Sequence, residues 1–260
     1  MKLSISNIAW NTCDSECIYH YLKEKNFVGL EIAPTKVIAE KPYEHLDAIK
    51  NYQETLSREY GLEISSMQSI WYGITGNIFN SVDLIRLIEY TKKAILFAEK
   101  INCHNLVFGC PKNRNMPKGC KMSEADRFFD EVSSFAEEHN TTIALEANPV
   151  IYQTNFINTT KEAFEYVKSF NHKGLKVNVD LGTMIYNNED LSCLMGNIPF
   201  INHIHISEPN LLKIERRELH RELRQFLSES HYSHYVSIEM KTLPQDDVKE
   251  VIDYISEVFM

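Results

Sequence analysis

The chain contains few of the residues that form hinges and disordered segments. Its 260 residues include only 9 glycines and 8 prolines, and no Gly/Ser-rich linker separates one part from another. This scarcity argues against a hinge between domains and against a low-complexity tail. No apolar run approaches the roughly 18 residues of a membrane span. Residues 1–8 are also too polar for the core of a signal peptide, so we expect a cytoplasmic protein.

Cysteine motifs are missing as well. The six cysteines form no C-x-x-C pair and show no zinc-finger spacing, and the chain is too long to be a small secreted scaffold. We therefore expect reduced thiols, in agreement with a cytoplasmic location.

Negative charge exceeds positive charge. Lys and Arg number 27 against 36 Asp and Glu, which gives a net charge of −9, and 43% of the residues are hydrophobic. This is the composition of a globular protein with a large core. An acidic surface repels phosphate backbones and anionic lipids, so we expect neither nucleic acid nor a membrane as a main partner. A homodimer is left open.

Short apolar runs alternate with helical patterns along the whole chain. Eight runs have the continuous aliphatic character of parallel strands buried on both faces. They are 3–8, 29–32, 63–68, 105–108, 142–146, 176–180, 203–206 and 235–239. Eight such units in a chain of this length predict a single (β/α)8 TIM barrel over residues 1–260. An open doubly wound sheet is the alternative, but the chain lacks the G-x-G-x-x-G turn that often opens one.

Ionisable residues end four consecutive predicted strands. Glu146, Asp180 and Glu239 close strands five, six and eight, and strand seven carries His203 and His205 on one side. In a barrel these ends meet at the mouth, where such carboxylates would repel one another without a cation between them. The set predicts one divalent ion, Mn²⁺, Co²⁺ or Zn²⁺ with Mg²⁺ as an alternative, with either histidine as a ligand. A helix cap or a surface salt bridge is the alternative for each residue.

Other polar and aromatic residues follow the predicted strands and are candidates for substrate contacts. Trp10 and Trp71 could stack on a sugar ring or fill the core. Arg114 lies in a basic loop that could bind an anion or be solvated. Glu208 could also orient a ligand imidazole from behind, a second-layer role that we assign to His203 too. The full set of expected substrate contacts is Asn7, Trp10, Glu31, Gln68, Trp71, Arg114, Asn148, Thr183 and Glu208.

Four short motifs, in order, resemble those of the sugar phosphate isomerase/epimerase family, the xylose isomerase-like barrels. They are Leu-Glu-Ala-Asn at 145–148, Val-Asp-Leu-Gly-Thr at 179–183, His-Ile-His-Ile-Ser-Glu at 203–208 and Ser-Ile-Glu at 237–239. The family includes ketose 3-epimerases, 2-keto-myo-inositol dehydratases and, more distantly, barrel-type apurinic endonucleases. The resemblance implies that Glu146, Asp180, His205 and Glu239 are metal ligands. It also implies that Glu146 and Glu239 are catalytic, on either side of the reacting carbon.

Three departures from the ketose 3-epimerase pattern bear on the substrate. Tyr152, Thr183 and Leu211 stand where those enzymes carry the glutamate, histidine and arginine that hold a free ketose. We therefore expect a metal-dependent isomerase or epimerase that acts through an enediolate on a sugar or sugar derivative, with charged sugars preferred and read by Lys112 or Arg114. The alternatives are a lyase on a keto-sugar or keto-inositol, a phosphoester hydrolase, and a sugar-binding barrel without catalysis.

Overall fold

The eight predicted strands pair in parallel, each with the next along the chain, and the last strand pairs with the first to close the barrel. A computed structural model describes residues 1–170 and 172–260. The strands are β1 Lys2–Ser6, β2 Gly29–Ile32, β3 Glu63–Met67, β4 Leu106–Phe108, β5 Ile143–Glu146, β6 Leu175–Asp180, β7 Ile201–Ile206 and β8 Tyr235–Ile238. Their bounds lie within one or two residues of the predicted ones, and the predicted (β/α)8 barrel is confirmed.

Helices connect the strands and cover the outside of the barrel. They are α1 Ser15–Glu24, α2 Pro34–Val37, α3 Leu46–Thr55, α4 Ser81–Lys100, α5 Met122–Glu138, α6 Thr160–Phe170, α7 Leu181–Asn187, α8 Glu218–Glu229 and α9 Gln245–Phe259. The three longest, α4, α5 and α9, each bury a set of apolar residues, as amphipathic surface helices do. Within residues 1–170 and 172–260, every helix is too short or too polar to cross a membrane.

The core has an apolar outer layer and a more polar interior. Trp71 packs edge to face on Phe108 and on Phe128 between the strands and α5, and the three ring centroids are 4.9 to 5.3 Å apart. Inside the barrel, Glu31, His203 and His205 are almost fully buried. Buried ionisable groups are costly unless they are paired or bind an ion. The buried ionisable residues therefore mark the part of the barrel interior where a functional site is expected.

Candidate metal centre

Four ionisable side chains meet at the carboxyl-terminal mouth of the barrel. Glu146 ends β5, Asp180 ends β6, His205 lies in β7 and Glu239 follows β8 directly. One donor atom of each lies within 4.8 Å of the others. His205 Nδ1 is 3.0 Å from Glu146 Oε1 and 3.2 Å from Glu239 Oε2. The backbone N–H of Glu239 donates to the carbonyl of Ile206, so the hydrogen bonds between β7 and β8 continue to residue 239. This bond fixes the backbone position from which the Glu239 side chain extends.

The charge of this cluster is unbalanced. Burial raises the pKa of Asp180 to about 6 and that of Glu239 to about 7, with neighbouring carboxylates adding to the rise and His205 opposing it. Burial alone would lower the pKa of His205, but Glu239 and Glu31 outweigh it and raise that pKa well above its ordinary value. Each shift shows that the enclosed carboxylates favour added positive charge.

The four side chains fit a divalent ion of intermediate hardness. Ligand atoms that are about 2.1 Å from an ion and at right angles to one another are about 3.0 Å apart. The spacings of 3.0 and 3.2 Å around His205 Nδ1 are of this size. Carboxylate oxygen with one imidazole nitrogen suits Mn²⁺, Co²⁺ or Zn²⁺. Glu146, Asp180, His205 and Glu239 would hold such an ion.

A second layer of side chains holds the histidine. Glu31 Oε2 is 3.0 Å from His205 Nε2, on the side of the ring away from Glu146 and Glu239. Asn178 Nδ2 donates to Glu146 Oε1 at 2.7 Å and lies 3.1 Å from His205 Nδ1. A hydrogen on Nε2, donated to Glu31, makes Nδ1 the acceptor nitrogen of the ring, on the side of Asn178, Glu146 and Glu239.

Glu31 contacts both histidines of β7 and is shielded from solvent. His203 Nε2 is also 3.0 Å from Glu31 Oε2, although the contact is poorly aligned for a hydrogen bond. Burial would raise the pKa of Glu31, but His205 and His203 outweigh it and hold that pKa well below its usual range. With His205, these two residues form a second group of potential metal donors. Glu31 has no exposed surface, so it does not reach a substrate as the sequence suggested.

Asp180 is held by the start of α7 and the end of β7. Its Oδ1 accepts a hydrogen bond from the backbone N–H of Thr183 at 2.6 Å, and its Oδ2 accepts one from the hydroxyl of Ser207. The hydroxyl of Thr183 donates to the carbonyl of Ala147, away from the mouth. Thr183 thus positions Asp180, and its own side chain is already bonded to the protein.

Asn148 and Arg114 form a chain that supports Glu146. Arg114 is fully buried, and its Nη2 donates at 2.8 Å to the carbonyl of Glu146 and at 2.8 Å to Asn148 Oδ1. Asn148 Nδ2 then donates to Glu146 Oε2 at 3.0 Å. The guanidinium fixes the direction of the Asn148 amide, and the amide orients the carboxylate. Arg114 is therefore not the solvent-facing anion contact that the sequence suggested.

Glu208 does not orient His205. Its carboxylate accepts two hydrogen bonds from Arg217, from Nε at 2.7 Å and from Nη2 at 2.6 Å. Glu31 takes the place behind His205 that we expected Glu208 to fill. The Glu208–Arg217 pair instead ties the loop after β7 to the start of α8.

Both tryptophans fill the core. Trp10 is fully buried and Trp71 is 3% exposed. Trp10 Nε1 donates to the hydroxyl of Ser15 at 3.1 Å, and Trp71 Nε1 donates to the hydroxyl of Thr91 at 3.0 Å. Neither ring has a face open for stacking on a sugar, so of the two alternatives from the sequence the structure has the core position.

Asn7 and Gln68 also bond within the protein. Asn7 Oδ1 accepts from the backbone N–H of Ala33 at 2.8 Å, and Gln68 Nε2 donates to the hydroxyl of Ser6 at 3.0 Å. Both residues are buried. Their observed contacts brace the loops after β1, β2 and β3.

Two residues near the cluster were absent from the expected site. Asn178 is a polar residue in an otherwise apolar strand, and that irregularity was its only signal in the sequence. The Tyr152 hydroxyl accepts a hydrogen bond from the backbone N–H of Asn210 at 2.9 Å. Burial, with Asp180, Glu146 and Glu239 adding to it, raises the pKa of Tyr152 to about 12. Tyr152 therefore keeps its proton at neutral pH and faces the field of the carboxylates.

The fold and the mouth place the chain among (β/α)8-barrel proteins with a candidate metal centre at the carboxyl ends of their strands. Residues 20–258 match the family model of the xylose isomerase-like TIM barrels. The chain belongs to that family. No curated protein sequence matches it.

Solved structures with the same fold include sugar epimerases and a dehydratase. The 3-keto-D-glucoside 4-epimerase YcjR from E. coli is 18% identical, with 99% of this chain and 98% of that chain covered and a TM-score of 0.77. The D-psicose 3-epimerase from Clostridium cellulolyticum H10 is 16% identical over 100% and 99% of the two chains, with a TM-score of 0.75. The probable 3-DHS dehydratase AsbF from Bacillus anthracis is 16% identical over 99% and 98%, with a TM-score of 0.66. At these identities the likeness shows a shared fold.

Proposed function

We propose that this protein is a divalent-metal-dependent epimerase or isomerase of a sugar or sugar derivative. One observation carries the proposal: Glu146 ends β5 and Glu239 follows β8, the two outer strands of the four that carry the donor cluster at the barrel mouth. Epimerisation at carbon needs a base on one face of the substrate and an acid on the other. The family and the epimerases that share the fold support the same reaction type.

A bound divalent ion supplies stabilisation for the negative charge that develops on substrate oxygens when a neighbouring carbon loses its proton. The protein supplies the proton transfer. Glu146, held by Asn148 and Asn178, removes or returns the proton from the β5 side of the mouth. Glu239 does the same from the β8 side. The substrate passes through an enediolate, and the face on which it is reprotonated sets the configuration of the product.

The surrounding residues orient the two carboxylates and the substrate. Glu31 fixes the ring of His205, and Ser207 with Thr183 fixes Asp180, so the cluster is in place before a substrate arrives. Because these groups are already held in position, little further conformational entropy is lost when a substrate binds. Tyr152, with its hydroxyl already accepting from Asn210, has its own proton free to donate to a substrate oxygen.

A lyase is the second candidate, because the same enediolate can expel a hydroxyl from the adjacent carbon. The likeness in fold to a probable dehydratase favours keeping it. Tyr152 adds a structural reason, since a protonated phenol beside the cluster could assist a departing hydroxyl.

The test is a screen of carbohydrates with the chelator-treated protein and with the same protein after Mn²⁺, Co²⁺ or Zn²⁺ is restored. Nuclear magnetic resonance identifies the products. We expect turnover only with metal, and an epimer or isomer as product. A dehydrated keto product would establish the lyase. Equal turnover in the chelator-treated protein would contradict the proposed activity. So would a protein that binds metal at this site, as shown by loss of binding in Asp180→Ala, but turns over no carbohydrate.

A further inference from the structure

A cavity of about 820 Å³ opens at the same face of the barrel as the four donors, on the side of β1 to β3. Its walls include Ile8, Ala33 and Ser69, which follow β1, β2 and β3, and Lys241, which follows β8. Small-molecule sites commonly have volumes of about 300 to 1,000 Å³. The cavity is therefore large enough for a substrate group that extends beyond the reacting carbons.

The lining of this cavity is basic, in contrast to the protein as a whole. Four lysines contribute to it, Lys36, Lys41, Lys93 and Lys241, with Glu44 as the one carboxylate. Glu44 lies 3.7 Å from Lys41. Across residues 1–170 and 172–260, no carboxylate comes within 4.0 Å of the amines of the other three lysines. A chain with a net charge of −9 thus concentrates unpaired positive charge in one concave place.

The walls are fixed by hydrogen bonds between loops. The backbone N–H of Lys241 donates to the carbonyl of Leu211 at 2.9 Å, and the hydroxyl of Thr242 donates to the carbonyl of Ile8 at 2.8 Å. Lys36 Nζ donates to the carbonyl of Trp10 at 2.5 Å, with two further donor hydrogens available. Burial also lowers the pKa of Lys36. A negatively charged ligand beside its amine would offset that burial.

The cavity borders the metal cluster and does not include it. None of the four donors lines the cavity, but Lys241 is two residues from Glu239, and Leu211 follows the strand that carries His205. A substrate whose reacting carbons lie against Glu146 and Glu239 can extend one end into the lysines. Arg114, which the sequence suggested as an anion contact, is buried and donates to the carbonyl of Glu146.

We propose that this cavity, the lysine pocket lined by Lys36, Lys41, Lys93 and Lys241, binds an anionic group of the substrate, a phosphate or a carboxylate. The inference rests on the proposed function and adds the substrate class, an acidic sugar or sugar derivative. Ammonium groups bind phosphate and carboxylate oxygens through charge-assisted hydrogen bonds, and several of them around one concave site suit a dianion.

The test uses inorganic phosphate and malonate as probes, with binding to the full-length protein measured by calorimetry, with and without Mn²⁺. The variant is Lys93→Gln with Lys241→Gln, two exposed positions that should fold normally. The control is Lys50→Gln with Lys161→Gln, which removes the same charge from surface pairs with Glu54 and Glu165. We expect phosphate binding without metal that weakens with salt. The variant should lose at least about tenfold in affinity, and the control less than about twofold.

Tighter binding of malonate than of phosphate would identify the anion as a carboxylate and also support the pocket. Phosphate binding that requires Mn²⁺, or that is equal in the variant and the control, would overturn it. Failure of this inference is separate from failure of the proposed function. Turnover of a neutral sugar without anion binding would contradict only the lysine pocket. Anion binding without turnover of any carbohydrate would contradict only the proposed activity.

Discussion

Replacing Glu31 with glutamine should weaken metal binding although Glu31 is not one of the four donors. Its Oε2 accepts from His205 Nε2 at 3.0 Å in a position with no exposure to solvent. Glutamine keeps an acceptor oxygen and nearly the same volume but removes the negative charge. The imidazole then becomes a weaker donor of electrons to an ion on its other nitrogen.

The loss in affinity follows from the strength of that contact. Partners that orient a ligand histidine typically contribute 10- to 100-fold to metal affinity, which corresponds to about 1.4 to 2.7 kcal/mol. We expect Glu31→Gln to bind Mn²⁺ or Zn²⁺ that much more weakly, as measured by competition with a chelator of known affinity.

Glu208→Gln is the matched control, because Glu208 is also a buried glutamate but pairs with Arg217. It should change metal affinity by less than about twofold, whatever it does to stability. If Glu31→Gln binds as tightly as the unaltered protein, or if Glu208→Gln loses as much, Glu31 does not orient the ligand. Circular dichroism of both variants checks that the fold is retained.

Three further changes test other parts of the structure. Gly109→Ala would place a methyl group 2.7 Å from Glu146 Oε2, so we expect weaker metal binding with little change in melting temperature; unchanged binding would contradict the placement of Glu146. Arg114→Met removes two buried hydrogen bonds that the guanidinium donates. It should lower the free energy of unfolding by about 2 to 4 kcal/mol, as measured in a urea titration. A loss below about 0.5 kcal/mol would contradict the role of Arg114 in holding Glu146 and Asn148. Burial lowers the pKa of His220 to about 4, so the unfolded chain binds a proton first as the pH falls, and stability is lost between about pH 6.5 and pH 4. His220→Phe should remove up to about 3 kcal/mol of that loss, as judged from urea titrations at both pH values, and an unchanged pH dependence would contradict the lowered pKa.

The barrel and its four mouth residues could be predicted because both follow from local pattern. Each strand is a short aliphatic run. Parallel strands that close a barrel bring their carboxyl ends together at one face, independently of the sequence of the helices. Glu146 and Asp180 end such runs, so their meeting follows from topology. The roles of the surrounding residues could not be predicted in the same way. Glu31 lies near the end of β2 and Glu208 follows β7, and only the packing of side chains decides which of them contacts His205.

The side chains of the loops around the mouth were harder to predict, because loop sequence does not reveal side-chain direction. Arg114 lies in a loop rich in basic residues, yet it turns inward to the carbonyl of Glu146. Lys93 and Lys241 lie far apart in the sequence, on α4 and after β8, and only the closed barrel brings them to one cavity. A cavity that forms between loops has no periodic signature.

In the proposed reaction, Glu146 and Glu239 carry a proton to and from a substrate carbon. The most direct measurement is the appearance of solvent deuterium at carbon in recovered substrate and product, for the metal-loaded protein and for Glu146→Gln and Glu239→Gln. We expect exchange by the unaltered protein and at least about a hundredfold slower turnover in each variant, because an amide can still bind metal but carries no proton at neutral pH. The two losses should not multiply, since one missing proton carrier already stops the cycle. Near-normal exchange and turnover in Glu239→Gln would contradict the account and leave Glu239 as an anchor for the ion alone.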